Sequence, residues 1–384
     1  MEVKQVYDFV NKAVEQATGE SGLLQEDLSN VVEVGTAIFN ANALDKYVDA
    51  LVNHIGRVVF VARAYSGVYA KLQMDAWEFG SVMEKISMQL PKAEENESWE
   101  LVDGQTYEEN QFYKPTMSVK FFNKKTTFEI PMSITELQVK QSLSSVNQLG
   151  SFVSMIYTAI ENALTLRIEE LSRRAVNNMI AETMYDFYGS GSQTASSGVR
   201  AVNLLYLYNQ IATTPITASD ALYDADFLKF AFYTMAMYKD KLASMSTLFN
   251  VGGKERHTPN DLLHFVMLSN MDKASQIYLQ SNTFHDELVS LDGYEVTPYF
   301  QGTGTDYEFD NVSKINVITA SGNTITIEGV VAVMFDRDAI AINNYNRRVT
   351  SKWNAKAEFT NYWYKVDAEY INDLNENCVV FFIA

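Results

Sequence analysis

A chain of 384 residues with 47% hydrophobic content can bury a large core and has room for about two or three modules. Its net charge of −18 and pI of ≈ 4.7 argue against sequence-independent binding to nucleic acid, which needs Lys and Arg to neutralise phosphates. Lys124-Lys125 and Arg347-Arg348 are isolated pairs rather than a basic patch, and one cysteine, Cys378, excludes an intrachain disulfide. The start, Met1-Glu2-Val3-Lys4, lacks a basic-then-apolar leader, and no apolar stretch reaches bilayer-spanning length. The expectation is a soluble protein made in the cytoplasm, with no membrane and no sequence-specific nucleic acid among its partners.

Residues 1 to about 45 read as loosely structured. Val6, Phe9, Val10 and Val14 suggest a short amphipathic helix, followed by a flexible break at Thr18-Gly19-Glu20-Ser21-Gly22. A second helix is predicted near Ala43–Ala62, carrying Leu44, Tyr47, Val48, Leu51 and Ile55. From Trp77 to Pro131 the pattern turns to β. Ile86, Met88 and Leu90 alternate with polar residues, and so do Met117, Val119 and Phe121. Two such runs flanking a polar span predict a long hairpin. Its tip, Pro91 to Tyr113, carries Glu94, Glu95, Glu97, Glu100, Asp103, Glu108 and Glu109 against Lys92. The tip is either a solvated loop or an arm that docks in a basic or polar patch on a neighbouring subunit. A hairpin that cannot bury a core of its own favours the arm. Glu94, Glu95, Glu97, Trp99, Glu108, Glu109, Phe112 and Tyr113 are the candidate contact residues.

The stretch from Thr126 to Tyr188 is the most informative. A β-like run to Pro131 leads into a short helix near Ser133–Leu143 and then a long one, with capping-box patterns at Ser133/Glu136 and Ser145/Gln148. Phe152, Ile156, Ile160, Leu164, Ile168, Leu171, Ala175 and Met179 recur at steps of four and three, a stripe that winds slowly round the helix. A rod of roughly 35 to 40 residues is about three times the usual globular length. The steps of four, without repeated a/d heptads, argue against a coiled coil. Glu169 with Arg173 and Glu170 with Arg174 are spaced to pair at i,i+4.

After a Gly/Ser-rich linker, Gly189 to Gly198, a mixed region runs to about Gly329. It has a helical pattern over Ala221–Leu248, a buried strand at Phe265–Leu268 leading into a helix over Ser269–Tyr278, and turns at Gly302–Asp306 and Ser321–Asn323. Beyond Thr324 the chain is β-rich, first through Ile325 to Phe335 and then with Trp353, Ala355, Ala357 and Phe359 alternating. Tyr345, Trp353, Tyr362, Trp363 and Tyr364 crowd this region, as core packing or as interface. Cys378 lies in an apolar run that predicts a buried terminal strand.

No catalytic constellation stands out. His54, His257, His264 and His285 are scattered, and one cysteine makes no zinc site. Gly252-Gly253-Lys254 lacks the spacing of a phosphate loop, and no Gly-x-Ser-x-Gly elbow occurs. Asp224-Ala225-Asp226 and Asp336-Arg337-Asp338 suit caps or solvated turns better than paired catalytic acids or a calcium loop. The expectation is a protein that is not an enzyme and needs no cofactor or metal.

Phe128-Glu129-Ile130-Pro131-Met132-Ser133-Ile134-Thr135-Glu136-Leu137 and Val331-Ala332-Val333-Met334-Phe335-Asp336-Arg337-Asp338-Ala339-Ile340, with the order of the parts around them, resemble the major capsid proteins of tailed bacteriophages. This is the HK-ninety-seven fold family, shared with encapsulins. The resemblance implies an α+β fold: residues 1–76 as N-terminal arm and connecting helix, 77–131 as extended hairpin loop, 132–198 as peripheral domain with its spine helix, 199–329 as axial domain and 330–384 as returning peripheral strands. It further implies pentamers and hexamers of an icosahedral shell around a phage double-stranded DNA genome, synthesis in the host bacterial cytoplasm, and residence in the virion. A separate scaffolding protein, a portal and possible decoration proteins are the implied partners. No cross-linking pair is assigned. An encapsulin-type cellular compartment and an extracellular carbohydrate-binding protein are the alternative readings.

Overall fold

In the computed structural model, the winding stripe becomes one uninterrupted helix, α4 (Val146–Tyr188), of 43 residues and about 65 Å. The structure describes residues 3–40, 43, 46–51, 69–75, 83–91, 93–107, 110, 112–114, 116–122, 125–189, 196–280, 293–300, 313–318 and 324–384. They form two units. The first holds Met1–Gly80, Lys125–Arg173 and Ile342–Tyr370; the second holds Ser81–Lys124, Arg174–Ala341 and Ile371–Ala384. Phe152, Ile156, Ile160, Leu164 and Ile168 are buried in the first unit, Ala175 and Met179 in the second, and Leu171 is half-buried. A stripe at steps of four drifts round a helix with 3.6 residues per turn, so the buried face rotates along its length.

In the first unit, α1 (Val3–Thr18) and α2 (Val31–Asn40) are regular helices, not loose chain. Val6, Phe9, Val10, Ala13 and Val14 of α1 and Val31, Val34 and Ile38 of α2 join the core formed with Leu149 to Ile168 of α4. The Phe9 and Tyr157 rings lie 6.4 Å apart. The expected loose arm is therefore corrected: its apolar residues sit at helical spacing and find a long apolar helix to cover. Residues 46–51 are helical, with Tyr47 and Leu51 buried; the rest of the helix expected there lies outside the described residues.

The sheet of this unit runs β1 (Gln73–Asp75), β10 (Ile340–Asn354), β11 (Phe359–Asn372), β4 (Lys125–Thr135). β4 and β11 pair antiparallel from Thr135↔Phe359 to Lys125↔Glu369. This pairing carries β4 two residues past the expected cap. Ser133 donates to Asn361 at 2.5 Å within the sheet, and Thr135 and Gln138 instead form the capping box of α3 (Glu136–Ser142). At the second expected cap, Ser145 Oγ accepts from Gln148 N at 3.3 Å. Tyr362, Tyr364 and Val366 alternate into the core, and the Tyr362 hydroxyl donates to Asp49 at 2.9 Å. The expected alternation from Trp353 to Phe359 is broken by a turn. Asn354 accepts from the amides of Lys356 and Ala357, and Glu358 takes φ +51°. On α4, Glu169 pairs with Arg173 at 3.8 Å as read, but Glu170 pairs with Arg167 at 2.7 Å rather than with Arg174.

The second unit is built on the sheet β5 (Ala201–Asn203), β12 (Cys378–Phe382), β9 (Thr324–Asp336), β6 (Leu263–Leu268), β7 (Tyr294–Thr297), with β8 (Ser313–Ile318) paired to β9. Every residue of β12 is buried, and burial pushes the Cys378 thiol up to about 12, as an inert core cysteine requires. Helices α5 (Leu204–Ile211), α6 (Ala218–Ala221), α7 (Ala225–Ala243) and α8 (Ser269–Gln280) complete the unit. Phe227, Leu228, Met235 and Met271 pack with Val379 and Phe381. Residues 330–341 and 371–384 thus belong with this sheet, and only 342–370 return to the first unit. That departs from the single returning block expected for 330–384. The expected turns at 302–306 and 321–323 lie outside the described residues.

Gly329 sets the bend of β9. It has φ +78°, and the β12–β9 register shifts between Phe381 and Phe382 beside it. A Cβ there would sit 2.1 Å from the Ile383 carbonyl oxygen. Gly329→Ala is expected to cost at least about 2 kcal/mol, from left-handed strain plus displaced backbone. Gly104→Ala, at φ +85° with open space, should cost only the strain, about 1 kcal/mol. Urea midpoints of the two variants check the difference.

Candidate functional site

The expected hairpin forms in the second unit, but it is shorter than read: β2 (Met83–Met88) and β3 (Met117–Phe122) pair from Met83↔Phe122 to Met88↔Met117. Strand alternation sorts this ribbon into two faces. Lys85, Lys120, Ser87 and Ser118 lie on one, with the two serine hydroxyls 2.6 Å apart. Ile86 opposite Val119, Met88 opposite Met117, and Phe121 lie on the other. That second face is uncovered: Ile86 is 59% exposed, Met117 61% and Phe121 62%.

The polar face meets the body of the same unit through charge. Lys85 reaches Asp373 at 3.0 Å and Glu376 at 2.7 Å; Lys120 reaches Asp373 at 3.0 Å; Arg256 reaches Glu376 at 3.1 Å. Both carboxylates are nearly inaccessible, and the backbone around Asp373 fixes its position. Asp373 N donates to Ala339 O at 2.8 Å, and Asp373 Oδ1 accepts from Asn375 N at 3.1 Å. Burial alone would raise the Asp373 pKa, but the Lys120 hydrogen bond and the Lys85 charge outweigh it and hold it below the usual aspartate range. Burial opposes the Lys85 charge in turn, yet Glu376 and Asp373 raise its pKa above the ordinary lysine value.

The described part of the tip carries exposed acidic and apolar side chains. Glu94 and Glu95 are exposed, Glu97 opens a 3-10 turn with Trp99, and Glu108 and Glu109 lie outside the described residues. Trp99 is 94% exposed and Phe112 84%, with Tyr113, Leu101 and Val102 exposed as well. Local bonds organise the loop: Val102 N donates to Tyr107 Oη at 3.0 Å and Ser98 N to Asn96 Oδ1 at 2.8 Å. Soluble monomers rarely leave large apolar patches exposed unless those patches are used. The exposed ribbon residues Ile86, Met88, Met117, Val119 and Phe121 are not among the candidate residues read from sequence. Their signal was present, as a strict alternation in a two-stranded element that has no second layer to cover it.

The acid pairs are structural. Asp224 caps α7, accepting from Phe227 N at 2.7 Å; Asp336 accepts from Asp338 N at 2.8 Å and from Thr258 Oγ1 at 2.7 Å. His264 is buried and stacked on Phe335. Among the described residues no His, Cys, Asp and Glu cluster could hold a metal ion, and no helix is long and apolar enough to cross a membrane.

The major capsid protein of Bacillus phage B103 is 22% identical over 201 residues, 51% of this chain; the match spans 43% of that protein's length, less than half of it. A chain of the capsid of Staphylococcus phage Andhra shares the fold with TM-score 0.50 at 9% identity, covering 82% of this chain and 83% of that one. The model of a family described as Phi29-like phage major capsid protein matches residues 9–382. With residues 9–382 matched, nearly the whole length, the chain belongs to the Phi29-like phage major capsid protein family.

Proposed function

We propose that copies of this chain assemble as pentamers and hexamers into a closed icosahedral shell around a phage double-stranded DNA genome. The role is structural rather than catalytic. The observation that carries this reading is the β2–β3 ribbon, whose uncovered apolar face and aromatic tip suit burial against another copy. The inter-subunit contacts are Ile86, Met88, Val119 and Phe121 on the ribbon, with Glu94, Glu95, Glu97, Trp99, Glu108, Glu109, Phe112 and Tyr113 at the tip. Ring contacts are heterologous, so one ribbon serves five- and six-membered rings if it absorbs the change of angle. Each contact is modest, but every subunit makes several, and closure slows the loss of any one.

Family membership favours this reading over an encapsulin-type compartment or an extracellular carbohydrate-binding protein. The acidic balance suits a container wall that does not grip packed DNA. The partners that follow are a separate scaffolding protein, a portal and decoration proteins, with synthesis in the host bacterial cytoplasm and residence in the virion. Size-exclusion chromatography of the recombinant chain with its scaffolding partner, followed by negative-stain electron microscopy, tests the reading. Closed shells, tubes or hexamer sheets are expected. A 43.4 kDa species that stays monomeric under those conditions would overturn it.

A further inference from the structure

Among the described residues, every hydrogen bond and ion pair from β2 and β3 to the rest of their unit comes from Lys85 or Lys120. Beyond that row the ribbon stands off. Ser87, Gln89, Thr116 and Ser118 face Thr247 and the 253–256 loop across an open cleft of ≈ 210 Å³, and a second opening of ≈ 230 Å³ flanks the lysines themselves. The two sides of the tie differ in rigidity. The carboxylates are buried in the turn before β12, Asp373 held by the Asn375 amide and Glu376 by Arg256, while Lys85 and Lys120 are part-exposed ends of flexible side chains.

We propose that Lys85, Lys120, Asp373, Glu376 and Arg256 form an electrostatic latch that sets the direction of the ribbon, and that opening it frees the ribbon without unfolding the unit. The charge arithmetic supports a latch rather than a permanent weld. Three cations share two carboxylates, and Arg256, from the body, stays on Glu376 when Lys85 leaves. Asp373 keeps its amide partner Asn375 when Lys120 leaves. Neither acid is then stripped of every partner, which is the costly outcome for a buried charge. Bulk salt should act weakly on carboxylates this buried, so the latch answers to changes at its own residues rather than to ionic strength. The latch lies within one subunit and goes beyond the assembly reading, which it does not require.

Hydrogen–deuterium exchange on the unassembled full chain tests it in two variants. Lys85→Met with Lys120→Met removes the cations. The fourfold variant adds Asp373→Asn and Glu376→Gln, so that no buried carboxylate is left short of charge. The expected result in both is exchange at least about tenfold faster in β2 and β3, with β6, β9 and β12 as protected as in the parent. Unchanged ribbon exchange in the fourfold variant would overturn the latch. Loss of protection in β6, β9 and β12 in both variants would also overturn it, making the cluster a support of the sheet. Shell formation is a separate readout, so a failure of the assembly reading leaves the exchange result interpretable.

Discussion

Replacing Ile86, Met88, Val119 and Phe121 together by threonine is expected to leave the subunit folded and to abolish shells. All four side chains are exposed in the single chain, with Met88 at 52% and Val119 at 46%, so the fold draws little from them. Threonine keeps the β preference of the strands, and surface changes of this kind usually cost within about 0.5 kcal/mol each. An assembled neighbour would bury them. Losing about 1 kcal/mol of apolar burial at each of four positions weakens one contact by about 4 kcal/mol, or roughly a thousandfold. A closed shell repeats that contact in every subunit, so the loss compounds. The expected outcome is an unchanged urea midpoint with no particles by electron microscopy. Particles of normal size and yield would remove the ribbon face from the interface and leave the tip, Trp99 to Tyr113, as the remaining candidate.

How much could be read in advance depended on whether a residue's partner was local. The long helix was legible because its apolar steps of four are a property of the helix alone, and its 43 residues emerged close to the expected span. The hairpin was legible for the same reason, through alternation on both strands. The capping box slid from Ser133 to Thr135 because a distant strand, β11, holds Ser133 in the sheet; local sequence carries no trace of that pairing. The N-terminal helices were under-read because their apolar faces make sense only against Leu149 to Ile168 of α4. Likewise Lys85 and Lys120 look like ordinary solvated lysines in a strand. Their carboxylate partners lie about 250 to 290 residues onward, and only folding brings them to about 3 Å. Asp373 and Glu376 carry no motif, so nothing in their spacing announced a charge cluster.

The contrast between two Phe-Phe dipeptides gives the sharpest test of how this chain divides its apolar residues between fold and surface. In Phe121-Phe122 the first ring is 62% exposed and the second 9%, as expected of a ribbon with one covered face. In Phe381-Phe382 both rings are fully buried, because β12 is an interior strand with β5 on one side and β9 on the other. The Phe381 ring meets Tyr238 edge to face at 5.4 Å and packs in the core with residues of α7. Phe381→Ala is therefore expected to cost about 3–5 kcal/mol, through lost transfer energy and a cavity the sheet cannot close. Phe121→Ala should stay within about 0.5 kcal/mol in the isolated subunit. Exchange protection in β6, β9 and β12 measures this without averaging over the other unit. Equal losses for the two variants would mean that Phe121 already supports the subunit's own fold, and the ribbon would lose its claim to be a surface held in reserve for a neighbour.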